Sequence, residues 1–155
     1  MDYQASTFGS LDVSDKCVSS ATAALADATT IFTITGGPIE IIDILSECIT
    51  AQQAVATTLQ WTSTPTVGTA TTFSGASATL SGVAAGTSVR LAPTALSTAL
   101  VISLAAAGGL HLGTNVANKI LVRAGTITST VLNPGTGTWK HYLRYRPLAK
   151  GITVV

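Results

Sequence analysis

Short runs of alternating apolar and polar residues, separated by clusters of Gly, Pro, Ser and Asn, occupy most of the chain. A period of two marks a strand with one buried face, and no helical period extends beyond a few turns. The most regular run is Thr138-Trp-Lys-His-Tyr-Leu-Arg-Tyr-Arg146. As a strand it places Trp139, His141, Leu143 and Tyr145 on one face and Lys140, Tyr142, Arg144 and Arg146 on the other. Pro147 stops it, and Ile152 to Val155 offers one more short pairing segment.

Ile31-Phe-Thr-Ile-Thr35, then Gly36-Gly37-Pro38, then Ile39 to Thr50 is the clearest local signal and predicts a β-hairpin or tight strand reversal. In its second arm Ile39, Ile41 and Asp43 share one face and Glu40, Ile42 and Ile44 the other. Both faces are apolar with carboxylates interspersed, which suits a strand covered on both sides or lying in a subunit contact.

Further strands are predicted over Ala54–Thr62, Thr71–Leu80 with an interruption at Gly75, Ser88–Ala92, Asn118–Ala124 and Gly125–Val131. Ala99–Ala107 reads as a buried central strand ending at Gly108-Gly109. Cys17–Leu25 fits a strand or a short helix, with the strand preferred. Residues Met1 to about Ser14 lack periodicity and read as an extended arm. Eight to ten short strands at intervals of about ten residues predict an all-β fold: a β-sandwich, jelly roll or small barrel. One domain spanning residues 1–155 is expected, with an arm over 1–15 and a compact core over 16–155.

Composition strengthens the β reading. Thr occurs 26 times, beside many Val and Ile, and β-branched side chains favour pleated surfaces over helices. The frequent Ala residues argue mildly the other way. Apolar residues make up 46% and charged residues only 10%, against the roughly 25% typical of a soluble domain. High hydrophobicity with low charge excludes disorder and predicts an unusually apolar surface.

The net charge of +1 gives no field that would gather nucleic acid or acidic membrane, but its distribution is lopsided. Asp2, Asp12, Asp15, Asp27, Glu40, Asp43 and Glu47 all lie in the first 47 residues, where Lys16 is the only base. Arg90, Lys119, Arg123, Lys140, Arg144, Arg146 and Lys150 all lie from position 90 onward. Two arrangements fit. The two ends pair as neighbouring strands of one domain, or an acidic face of one subunit meets a basic face of the next in a closed ring such as a trimer.

Cys17 and Cys48 lack metal-ligand spacing and the dense framework of small secreted domains, so buried free thiols are expected ahead of a disulfide. The polar, acidic start MDYQASTFGS is unlike a secretory signal, which implies residence in the cytoplasm. The greasiest stretch, Ala95–Gly113, is interrupted by polar residues and falls short of the roughly 20 apolar residues of a membrane span.

Candidate chemistry is sparse. His111 and His141 are the only imidazole bases, and His141 in mid-strand reads as a packed residue. Asp12 and Asp15 form a lone pair, and the histidines are 30 positions apart, so no metal is expected. Glu40 and Asp43 point to opposite faces of a strand, which defeats paired-carboxylate chemistry. Gly135-Thr-Gly137 and Gly108-Gly109 read as turns and not as phosphate cradles. The Lys140, Tyr142, Arg144, Arg146 face interleaves bases with an aromatic, as a single-strand nucleic-acid groove does, yet a solvated face or half of a protein interface suits it better. No enzyme activity, cofactor, small-molecule substrate, nucleic acid or membrane partner is expected.

Phe32-Thr-Ile-Thr-Gly36-Gly37-Pro38-Ile-Glu-Ile-Ile and the closing Gly137-Thr-Trp139-Lys-His-Tyr-Leu-Arg-Tyr-Arg-Pro147-Leu bracket an Ala/Thr/Gly-rich middle. This texture, over roughly residues 30 to 150, resembles small β-rich structural proteins of tailed bacteriophages. Within that group the chain is most similar to capsid decoration, or cement, proteins. The resemblance implies a homotrimer on the outside of the virion, assembled in the host cytoplasm, clamping neighbouring major capsid protein subunits after head expansion. Asp2, Tyr3 and Phe8 of the arm and Lys140, Tyr142, Arg144 and Arg146 of the last long strand are the expected partner contacts. The competing reading is an exterior knob or tail component that binds a receptor or glycan. Exposed Trp61 or Trp139 would favour it, because sugars stack on open aromatic faces, and burial of both would favour the cement role.

Overall fold

In the computed structural model, residues 14–91, 100–103 and 120–155 are described, without the side chains of 101–103. Asp2, Tyr3, Phe8, His111 and most of the predicted arm lie outside these residues. The strands are β1 (Lys16–Ser19), β2 (Ala23–Ala24), β3 (Thr29–Thr35), β4 (Ile39–Cys48), β5 (Thr58–Pro65) and β6 (Thr71–Thr72). They continue with β7 (Ser88–Arg90), β8 (Val101–Ser103), β9 (Ile120–Val122), β10 (Gly125–Leu132), β11 (Thr138–Pro147) and β12 (Thr153–Val154). Among the described residues there is no helix. The expected all-β fold is thus found, as two open antiparallel sheets packed as a sandwich and not closed into a barrel.

The seven-stranded sheet runs β1-β11-β4-β7-β8, with β2 also on β11 and β9 also on β4, and the five-stranded sheet runs β12-β3-β10-β5-β6. Their facing sides enclose one core. Phe32, Ile34, Leu59, Trp61 and Ile127 come from the smaller sheet, and Ile39, Ile41, Ile44, Trp139 and Leu143 from the larger.

Several local readings are corrected. Gly36-Gly37-Pro38 is no hairpin turn, because β3 and β4 belong to different sheets and do not pair. It is a corner carrying the chain across the sandwich, with Gly36 at φ 84° and Gly37 at φ 151°. A side chain on Gly36 would also strike the Gly151 carbonyl oxygen, so only glycine fits.

The strict alternation assigned to β4 fails at a bulge. Arg144 faces Asp43 and Tyr145 faces Ile41, leaving Ile42 as an extra residue. Ile39 and Ile41 point inward before it and Ile44, Ser46 and Cys48 after it, so the apparent two-sided hydrophobicity is a change of phase within one strand. A second bulge at Ile31 in β3 likewise lets Ile31 and Phe32 both be buried.

The predicted strand at Ala54 starts at Thr58, and that at Thr71–Leu80 shrinks to Thr71–Thr72. Beyond Thr72 the chain still tracks β5, but serine side chains take the place of ladder bonds. Ser77 Oγ accepts from Leu59 N at 3.0 Å and Ser74 Oγ from Trp61 N at 2.9 Å. The expected central strand at Ala99–Ala107 is described only as β8, whose one partner among the described residues is β7. Cys17–Leu25 does form strands, β1 and β2. Both thiols are free as expected, but Cys17 is exposed and only Cys48 is buried, because β1 at the sheet edge turns Cys17 away from the core.

Candidate interaction surface

The outer face of the larger sheet carries four of the residues predicted for contact, Lys140, Tyr142, Arg144 and Arg146; the other three, Asp2, Tyr3 and Phe8, lie outside the described residues. β11 alternates as expected, with Trp139, His141, Leu143 and Tyr145 buried and Lys140, Tyr142, Arg144 and Arg146 outward. The β11–β4 register sets Lys140 opposite Glu47, Arg144 opposite Asp43 and Arg146 opposite Glu40. Arg144 Nη2 lies 2.7 Å from Asp15 Oδ2, and Arg146 Nη2 lies 2.9 Å from Asp15 Oδ1. Arg146 Nη1 also reaches Glu40 Oε2 at 3.6 Å, and Arg90 Nη2 pairs with Asp43 Oδ2 at 2.7 Å. Tyr142 Oη donates to Glu47 Oε2 at 3.3 Å, while Lys140 Nζ stands 5.5 Å from the Tyr142 ring centre.

Of the two arrangements open to the charged ends, the one within the chain is therefore realised for Asp15, Glu40 and Asp43. Asp15, assigned to the arm, is held on the sheet. Partial desolvation pushes its carboxyl upward, but hydrogen bonds and charge from Arg144 and Arg146 outweigh this and hold it below the usual range. Partial desolvation, then Glu47, pushes the Tyr142 phenol up. The face presents alternating charges to solvent, and Arg144 and Arg146 are already engaged by carboxylates.

Beneath this face lies the buried core. His141 is buried against Ser46, its Nδ1 hydrogen-bonded to the Ser46 hydroxyl, and burial pushes its pKa down to about 4. Both tryptophans are fully buried. Trp139 Nε1 donates to Gln52 Oε1 at 3.1 Å, and Gln52 Nε2 donates to Thr57 Oγ1 at 3.1 Å. Trp61 Nε1 is buried without a hydrogen-bond partner among the described residues. Among the described residues no group of three or more His, Cys, Asp or Glu is placed to hold a metal ion, and no helix is long and apolar enough to cross a membrane.

The other surface feature was not predicted. Two adjoining hollows of about 520 and 590 Å³ share Val67, Leu121, Val122 and Arg123 and form one apolar cleft at an end of the sandwich. Pro65 and Phe73 wall one part, Pro38 and Leu148 the other. Val67 is 77% exposed, Leu121 67% and Leu148 38%. Pairing of β9 with Ile39–Ile41 turns Ile120 and Val122 to the core and Leu121 outward. Alternation in NKILVRA carried that parity, but nothing along the chain showed that Val67 and Leu148, far away in sequence, would meet it.

No family model, curated protein or solved structure matches the chain.

Proposed function

We propose that this protein is a tailed-phage capsid decoration protein. In this reading it sits as a homotrimer on the virion exterior and binds neighbouring major capsid protein subunits by surface contact, without catalysis or cofactor. The observation that carries the reading is the apolar cleft, with Val67, Leu121 and Leu148 open to solvent on a sandwich whose only described histidine is buried in the core. Exposed apolar surface of this kind marks a protein interface. Engagement of Arg144 and Arg146 by Asp15 weighs against phosphate binding, which needs unpaired cations. Burial of Trp61 and Trp139 weighs against the knob reading, since neither ring is open to stack on a sugar.

The test is native mass by light scattering, followed by sedimentation with expanded and unexpanded heads. Three copies of the 15.7 kDa chain give 47.1 kDa. A discrete species at that mass, co-sedimenting with expanded heads only, is expected. A 15.7 kDa monomer that ignores both head forms and binds a glycan would instead establish the knob reading.

A further inference from the structure

We propose that the hollow between the Ala21–Ala26 run and β3 is a binding pocket for one compact neutral ring carrying a hydroxyl group, held by His141 Nε2. This goes beyond the proposed function and does not depend on it.

One wall is set by Ala21-Thr-Ala-Ala-Leu-Ala26, which puts small side chains around β2 at the border of the seven-stranded sheet. Ala23 pairs with Trp139, and paired residues of antiparallel strands point to the same face, so the Ala23 methyl lies on the inner side with Trp139 and His141. Thr30 and Ile31 of β3 and Ser129 of β10 form the opposite wall, from the other sheet. Short side chains on the first wall leave the gap between the sheets unfilled there, as a hollow of about 160 Å³. That matches the roughly 150 Å³ of an apolar cavity able to hold benzene.

His141 supplies the polar group. It is 8% exposed, and its Nδ1 is hydrogen-bonded to the Ser46 hydroxyl. Ser46 Oγ has no other hydrogen-bond partner among the described residues, so a proton on Nδ1 would leave the Ser46 O–H without an acceptor at a fully buried site. Ser46 therefore donates, and the proton of the ring, kept neutral by burial, sits on Nε2. Nε2 has no hydrogen-bond partner among the described residues. It is not enclosed by protein either. Among the described residues the one enclosed side-chain N or O without a partner is Trp61 Nε1, and the open space that His141 borders is this hollow. An imidazole more than nine-tenths buried thus aims an unused N–H into it.

The serine hydroxyls around the hollow offer the complementary half. Ser129 Oγ donates to the Ala26 carbonyl at 2.9 Å and Ser20 Oγ to the Ala21 carbonyl at 2.8 Å, so both have used their hydrogen and can only accept. Ser20 Oγ already accepts from His141 N at 3.0 Å, which leaves Ser129 Oγ the freer of the two. One donor together with one acceptor suits a ligand hydroxyl, which takes the Nε2 hydrogen and gives its own to Ser129. Among the described residues no Asp, Glu, Lys or Arg lines the hollow, so an ion there would lose its hydration without gaining a counter-charge, and a neutral ligand is selected.

The test is an NMR titration of isotope-labelled full-length protein with phenol. The ring nitrogens are expected to show His141 protonated on Nε2. Phenol should bind saturably, shifting the His141 ring and the Ala23 and Ser129 amides. Toluene, equal in size but without the hydroxyl, should bind roughly tenfold more weakly, as loss of one hydrogen bond implies. Ala23→Leu, which fills the hollow, should abolish phenol binding while the rest of the amide spectrum stays in place. Comparison of p-cresol with N-acetyl-tyrosinamide separates two sources of the ring. Equal binding supports entry of a partner's tyrosine side chain, and binding of p-cresol alone supports a free small molecule. Absence of any saturable shift at His141 would leave the hollow to water and overturn the proposal. Equal affinity for phenol and toluene, a proton on Nδ1, or phenol binding undiminished in Ala23→Leu would each overturn it as well.

Discussion

At the scale of single residues, His141 and the two tryptophans carry the clearest energetic content. His141 is neutral and buried in the folded chain, with a pKa of about 4 against 6.5 when exposed. The unfolded chain therefore binds a proton that the folded chain refuses between these values, so stability falls as pH is lowered through this window. The full loss is about 3 kcal/mol by pH 4, and a His141→Gln variant, still able to bond Ser46, should flatten it. Denaturant midpoints measured from pH 7 to pH 4 test this. Asp15 adds a separate acid loss at lower pH, because its depressed carboxyl stabilises the fold only while ionised. The tryptophans should behave unequally. Trp139→Phe strands Gln52 Oε1 in the core, whereas Trp61→Phe removes an N–H that had no partner. Urea unfolding should find Trp139→Phe the costlier by about 1–2 kcal/mol, although both rings are fully buried.

At the scale of elements, the bulges and sheet-crossing corners decide what faces the core. Ile31 and Ile42 are each one residue too many for their partner strand: the first lets adjacent Ile31 and Phe32 both be buried, and the second shifts the inward phase from Ile41 to Ile44. The step from β9 to β10 is tighter still. Gly125 has φ 149°, and a methyl group there would overlap the Thr64 carbonyl and Pro65 Cα. Gly125→Ala must therefore push β10 from β5 at their Gly125–Pro65 pair, and a cost of about 2–4 kcal/mol is expected in thermal or urea unfolding. Gly82→Ala makes a useful control: it also has positive φ, at 64°, but open space around it, so strain alone should cost about 1 kcal/mol.

At the scale of the whole molecule, the acidic front and basic back of the chain are brought together by strand order. β11 lies between β1 and β4, so its bases meet acids from both sides. Among the described residues the cations without an acidic partner are Lys140, Arg123 and Lys150, and Arg123 lines the cleft. The outer face alternates in charge, whereas the cleft joins apolar surface to Arg123, which has no acidic partner among the described residues. The β11 face holds Asp15 and the start of β1, and the apolar cleft lies apart from it at the end of the sandwich.

Sequence by itself determined the fold class, the facing of β11, the burial of His141 and the continuation through β12. Each follows from alternation or turn chemistry within one segment, where neighbours along the chain settle the matter. The sandwich corner at Gly36-Gly37, the bulges, the serine-supported path after β6 and the exposure of Cys17 came only from tertiary structure. So did the in-chain pairing of Asp15, Glu40 and Asp43 with arginines, and the cleft itself. These depend on which strands become neighbours: a Gly-Gly-Pro reversal serves a hairpin or a sheet crossing equally well, and Val67, Leu121 and Leu148 form one surface only once β4, β5 and β9 have packed.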